Sequence, residues 1–220
     1  MEVMTEEYID NETAETSVDF VKKPVYDFLK RIGDIFCSVL ALVVLSPLLV
    51  IVMIAIFVDD PGPVLFKQIR IGKDMKEFDI YNFRSMRIDA EKMKNKLIAQ
   101  NEDHGANFKI KQDPRVTKLG RFLRKSSIDE LPQLLNILKG DMSVIGPRPF
   151  VAEEQRRLPD DRLLVKPGLS CFWQVGGKND LSLSEQIELD RKYIRERSVP
   201  VDIKIVFMTL ALVFSGRNNG

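Results

Sequence analysis

The sequence predicts a mostly helical α+β fold with one small β-hairpin or sheet. It is membrane-associated (monotopic), held by a re-entrant helix and by amphipathic helices lying in the interface. Three observations lead there. Residues 35–58 are 24 consecutive positions without a charge, bounded by Lys30, Arg31 and Asp34 before and by Asp59 and Asp60 after. Residues 64–71 and 77–83 alternate apolar and polar side chains around Gly72-Lys73-Asp74, the pattern of a short hairpin. Most of the remaining apolar residues recur at helical spacing.

The elements follow in chain order. Residues 1–20 carry seven acids and no base, and read as a disordered acidic tail. Residues 21–34 read as an approach helix, with Val25, Phe28, Leu29 and Ile32 at helical spacing. The uncharged run is long enough to cross a hydrocarbon core of about 30 Å at about 1.5 Å per residue. Ser46 and Pro47 interrupt it at the centre, where proline removes a backbone hydrogen bond and favours a kink. Each arm is then roughly 16 Å long and reaches the bilayer midplane. Basic residues flank both ends, Lys22, Lys23, Lys30 and Arg31 on one side and Lys67, Arg70 and Lys73 on the other, which assigns both ends to the cytoplasm. A re-entrant helix with its break at Ser46-Pro47 satisfies both facts, and the Ser46 hydroxyl can serve backbone groups freed by Pro47. A kinked single span is the alternative.

Residues 61–220 form the body, placed on the cytosolic face. After the Pro61-Gly62-Pro63 turn and the hairpin, 87–102 reads as a charged helix and 105–114 as a loop. Short helices follow at 116–124 and 131–138. A polar helix at 184–195 precedes an apolar segment at 201–214, too short to cross a bilayer and suited to its surface or to a core.

Composition excludes several functions. The 220 residues hold 33 bases against 32 acids and are 45% hydrophobic, too apolar for a disordered chain and too neutral for one that grips a nucleic-acid backbone. Without the acidic tail the remainder has 33 bases against 25 acids, so the body is mildly basic. Cys37 and Cys171 have no C-x-x-C spacing, and His104 is the single histidine, so disulfide frameworks and histidine metal sites are unsupported. There is no P-loop, no G-x-G-x-x-G and no Asp-x-Asp.

Chemistry concentrates in 123–149. Asp129 and Glu130 stand adjacent between Arg121, Arg124 and Lys125 and the rigid Gly146-Pro147-Arg148-Pro149. Two neighbouring acids can divide roles, one attacking an electrophile and one holding a divalent cation. An arginine in a proline-fixed turn suits a phosphate. Ser127-x-x-Glu130 also has capping-box spacing, which assigns Ser127 a structural role and leaves Glu130 open between the two.

The motifs Lys30-Arg31-Ile32-Gly33-Asp34, Ser46-Pro47, Pro61-Gly62-Pro63, Gln68-Ile69-Arg70, Phe83-Arg84-Ser85-Met86 and Lys118-Leu119-Gly120-Arg121 come in an order, and at a spacing, that resembles a known family. Ser127-Ile128-Asp129-Glu130-Leu131-Pro132-Gln133, Asn136, Gly140-Asp141-Met142-Ser143, Gly146-Pro147-Arg148-Pro149, Lys166-Pro167-Gly168 and Trp173-Gln174-Val175 complete the set. Together they resemble the bacterial sugar transferases called monotopic phosphoglycosyl transferases, from about residue 22 to the C-terminus.

The resemblance implies transfer of a sugar 1-phosphate from a UDP-sugar to undecaprenyl phosphate with release of UMP, at the cytosolic face of the bacterial inner membrane. It implies Asp129 as nucleophile forming a covalent phosphosugar enzyme, Glu130 as Mg²⁺ ligand, and Arg148 on phosphate. Arg70, Arg84, Arg124, Gln133, Lys178 and Asp190 are further substrate-contact candidates. Membrane lipids are expected partners, nucleic acid is not, and a homo-oligomer is compatible. The chain departs from the family pattern at Asn82, at Ser170-Cys171 and at Gly176-Gly177-Lys178. Two other classes are weighed: an Asp129-dependent lipid phosphatase or kinase, and a non-catalytic membrane scaffold.

Overall fold

A computed structural model describes residues 18–90, 92–93, 113–176 and 181–214. Lys178, His104, most of the helix expected at 87–102 and most of the acidic tail lie outside them. The order is helix α1 (Pro24–Asp59), strands β1 (Leu65–Ile71) and β2 (Glu77–Phe83), helices α2 (Lys118–Lys125) and α3 (Gln133–Lys139), strand β3 (Ser143–Ile145), helix α4 (Ala152–Gln155), strand β4 (Gly168–Ser170), and helices α5 (Phe172–Gly176), α6 (Leu183–Glu196) and α7 (Val199–Phe214). The expected hairpin is present. β1 and β2 pair antiparallel from Leu65 opposite Phe83 to Ile71 opposite Glu77. Asp74 and Met75, at φ 55° and 60°, close the bend.

The approach segment and the apolar run are one helix. α1 continues through Ser46-Pro47, where the Ser46 hydroxyl donates to the Val43 carbonyl at 2.8 Å. Val43 is the carbonyl that a residue 47 N–H would have reached, so the Ser46 hydroxyl replaces the donor that Pro47 lacks. The secondary structure is therefore not broken at Pro47, in contrast to the expected helix-break-helix.

One face of α1 packs on the body along its length. Ala41 and Leu42 meet Ile80, Leu134, Ile137 and Met142, while Leu49, Val52, Met53 and Ile56 meet Phe83, Leu123 and Ile128. Polar contacts fasten both ends. Near the first, Lys30 donates to Asp202 at 2.8 Å and Arg31 to the carbonyls of Ile137 and Leu138 at 2.5 and 2.8 Å. The buried Asp34 accepts from Ser143 Oγ and from the Val144 N–H, both at 2.9 Å. Just past the other end, Asp60 is held by Arg84 and accepts the Ile88 N–H at 2.8 Å.

The opposite face of α1 is bare. Sixteen large apolar side chains between Val25 and Val58 are exposed, Phe36, Val43, Val44, Ile51 and Val58 among them. At roughly 1.5–3 kcal/mol for each such side chain moved from water to an apolar medium, their removal from water is worth tens of kcal/mol. α1 is long and apolar enough to cross a membrane, with a mean hydropathy of 3.1 over an 18-residue stretch. The molecule is thus compatible with membrane association.

α7 completes the same region. Ile203, Phe207, Leu210 and Val213 are exposed, while Ile205 is buried against Tyr193, Ile194 and Ile145. Asp202, an unexpected charge in an apolar helix, accepts from Tyr26, Lys30 and Tyr193 at 2.8–2.9 Å, so it is the anchor of the first end of α1. Val18 and Phe20, at the end of the acidic segment, pack into this cluster.

Candidate active site

Asp129 and Glu130 lie in a single 3-10 turn, Ile128–Glu130, between α2 and α3. Ser127 enters it at φ 54°, ψ 20° and makes no side-chain cap. The capping box expected at Ser127 and Glu130 does not form, because left-handed backbone turns the Ser127 side chain from the cap position that extended backbone would give it. Caps of that kind occur at Thr117, which accepts the Gly120 N–H at 2.9 Å, and at Ser182 with Glu185. Ile128 seats the turn among Val52, Ile56, Phe83 and Leu123, which ties the two acids to the second half of α1.

The preceding helix is held unusually close to the chain just past β2. A Cβ at Gly120 would sit 1.9 Å from the Ser85 carbonyl oxygen, so only glycine permits this approach. The same contact brings Arg124 to the site, its Nε donating to Ser85 Oγ at 2.8 Å.

Electrostatics set the two acids apart. Asp129 is pushed up from 3.8 to about 6, first by burial and then by the neighbouring Glu130 charge, with Arg124 and Arg148 opposing. Glu130 accepts from Arg148 at 3.2 Å. Arg148 leaves the rigid turn after β3 and, with Arg70, Asn82, Gln133, Pro149 and Leu169, lines a small open recess. Arg70 is lowered from its usual value by burial and by the Arg148 charge, with Glu154 at 3.4 Å opposing, and its guanidinium borders the same recess as that of Arg148. Such a pair is suited to an anion placed between them.

Of the residues singled out in the sequence, Asp129, Glu130, Arg124 and Arg148 come together, and Arg70 and Gln133 border the same recess. Gln133 donates to Asn82 at 2.9 Å, so the departure from the family pattern at Asn82 faces the site. Arg84 instead grips Asp60 at the end of α1. Asp190 is buried on α6 and paired with Arg162 at 2.6 Å. Asn136 bonds the backbone of Tyr81 and Asp79 at 3.0 and 2.6 Å and so locks α3 to β2. Ser85, Asn82 and Arg162 were not singled out as site residues. Their partners lie 28 to 51 residues away, beyond any local signal.

Among the described residues no cluster of three or more His, Cys, Asp or Glu side chains forms a metal cage. The adjacent Asp129 and Glu130 nonetheless fit Mg²⁺, which is commonly bound by one or two carboxylates with waters and substrate phosphates completing its shell. Burial first and the Glu130 charge second lift Asp129, and a divalent cation would relieve both by favouring the ionised pair.

A membrane-compatible helix, an acid pair at a turn and an arginine-lined recess thus stand together in one molecule. The family model for bacterial sugar transferases matches residues 25–216, and the chain belongs to that family. It is 42% identical over 191 residues to the "Galactosyl transferase CpsE" of Streptococcus agalactiae serotype III, covering 85% of this chain and 42% of that protein. It is 42% identical over 193 residues to the "Undecaprenyl-phosphate galactose phosphotransferase" of Salmonella typhimurium, covering 84% and 40%. The "Exopolysaccharide production protein ExoY" of Rhizobium meliloti is 37% identical over 205 residues, covering 90% of each chain. The chain thus spans about two fifths of the first two relatives and nine tenths of the third.

Proposed function

We propose that this protein is an enzyme that transfers a sugar 1-phosphate from a UDP-sugar to undecaprenyl or a similar polyprenyl phosphate at the cytosolic face of the bacterial inner membrane, releasing UMP. The carrying observation is the acid pair: Asp129, lifted to about 6, beside a Glu130 that Arg148 holds at 3.2 Å, on a turn seated against α1. Relatives named for undecaprenyl-phosphate sugar phosphate transfer support the substrate class.

An Asp129 carboxylate oxygen attacks the phosphorus that bears the sugar. The bond from that phosphorus to the UMP oxygen breaks, UMP departs with the electron pair, and an aspartyl phosphosugar remains. A phosphate oxygen of the polyprenyl acceptor then attacks the same phosphorus, the aspartyl bond breaks, and the Asp129 carboxylate is restored. Arg148, Arg70 and Arg124 offset the charge that gathers on the phosphoryl oxygens. Glu130, with Asp129, would hold Mg²⁺, which supplies charge neutralisation of the diphosphate. Dividing the reaction lets a water-soluble donor and a lipid acceptor use one nucleophile in turn.

The membrane arrangement belongs to the same proposal. Both ends of α1 are fastened to one polar body, through Asp34 and through Asp60, while the exposed face between them is apolar. This supports a helix that bends at Pro47 with its secondary structure continuous, and so enters and leaves by one leaflet, rather than a span. Cysteines introduced at positions 20 and 61 would both label from the cytosolic side of sealed vesicles; labelling from opposite sides would contradict a re-entrant anchor. The reaction is tested by UMP release from a panel of UDP-sugars with Mg²⁺ and undecaprenyl phosphate. Acceptor-dependent UMP from at least one sugar supports the proposal. Inorganic phosphate or ADP as product instead would point to a lipid phosphatase or kinase.

A further inference from the structure

The turn that carries Arg148 cannot fasten itself. Pro147 and Pro149 have no N–H, so half of its four residues donate nothing, and its carbonyls are held from outside. Gly168 N–H donates to the Pro147 carbonyl at 2.9 Å, and Arg70 to that of Pro149 at 3.4 Å. The carbonyl of Arg148 itself accepts from Arg162 Nη2 at 3.0 Å.

Arg162 is buried, and its Nη2 also donates to Asp190 at 2.6 Å in a pair where the two side chains are 3% and 2% exposed. Its guanidinium lies 4.4 Å over the Phe150 ring. The neighbouring residues repeat the pairing with charges reversed, Arg191 donating to Asp161 at 2.7 Å, so α6 clamps the Asp160–Leu164 segment twice. Nε and Nη1 of Arg162 have no partner among the described residues, so Nη2 carries its polar role. Desolvating two charges is a poor route to stability, since an apolar pair of similar volume serves as well. What an apolar pair cannot do is donate to the Arg148 carbonyl.

We propose that Arg162 is a positioning residue: fixed by Asp190 and Phe150, it holds the Arg148 backbone and thereby aims the Arg148 guanidinium at the phosphate under attack. This rests on the proposed transfer reaction and adds to it a role for the buried Asp190–Arg162 pair. Full-length protein in lipid nanodiscs would be compared as wild type, R162K, R148A and the double variant. D190N serves as a second probe should R162K fail to fold.

R162K keeps the charge and loses the fork. It should lower kcat on the order of 10- to 100-fold, the scale of a small misplacement at a reacting centre, with KM little changed. In the R148A background the same substitution should cost under about twofold, because both act through one side chain. Hydrogen exchange should quicken at the Arg148 and Phe150 amides and stay unchanged in α6. Full additivity in the double variant, or unchanged exchange in the turn, overturns the inference. A wild type that releases no UMP would sink the proposed reaction instead, and the exchange measurement would then decide the positioning role alone.

Discussion

Asp129→Asn should make the metal-free protein more stable at neutral pH while abolishing its chemistry. The folded carboxyl titrates at about 6 against an ordinary 3.8, so the folded state holds the proton more tightly than the unfolded chain. Ionised Asp129 therefore opposes folding. Its cost is absent below about pH 3.8, grows as pH rises toward 6, and is full above it. The difference corresponds to at most about 3 kcal/mol, and solvent screening at this partly exposed site reduces it to about 1–2 kcal/mol. For a chain of this size that is a rise in Tm of about 3–6 °C at pH 7.5, shrinking to nothing near pH 4. Trp173, the single tryptophan and a buried one, provides the fluorescence signal for melting in EDTA. An unchanged or lower Tm for D129N at pH 7.5 would refute the account of strain at the acid pair.

The metal-free Asp129 carboxyl should titrate near pH 6 by carbon NMR, and E130Q should lower that midpoint by removing the like charge beside it; a midpoint near 4 in the wild type would contradict the burial argument. Gly120→Ala drives a methyl into the Ser85 carbonyl and should cost about 2–3 kcal/mol or more, read as a fall in Tm together with lost UMP release as Arg124 moves. Asp202→Ala leaves Lys30, Tyr26 and Tyr193 without their common acceptor. It should cost about 2–3 kcal/mol and expose the start of α1 to protease, whereas wild-type resistance to cleavage there would show that the anchor lies elsewhere.

The elements legible in the sequence were those whose signal is local. The hairpin was written in alternation around Gly72, and α2, α3, α6 and α7 in helical spacing, each within about two residues of its observed ends. The parallel pair β3–β4 was not legible. Its strands are three residues long, and what joins them is a close approach in which a Cβ at Gly168 would lie 2.0 Å from the Gly146 nitrogen. Ser127 misled because cap spacing says nothing of φ. Lys30 and Arg31 read as flanking charges, yet their heads are spent on Asp202 and on the end of α3. The acid pair and Arg148 stood out by residue type. The pairing of Asp190 with Arg162 could not, since only the fold brings α6 onto the turn that holds Arg148.

The most direct test of the central claim is intact-mass measurement of the protein mixed with Mg²⁺ and a UDP-sugar in the absence of polyprenyl phosphate. The account predicts a burst of UMP no larger than the amount of enzyme. It also predicts a mass increase of one sugar phosphate located at Asp129, discharged on adding acceptor and missing in D129N. UMP that forms only when acceptor is present, with no adduct at any time, or turnover retained by D129N, would contradict it.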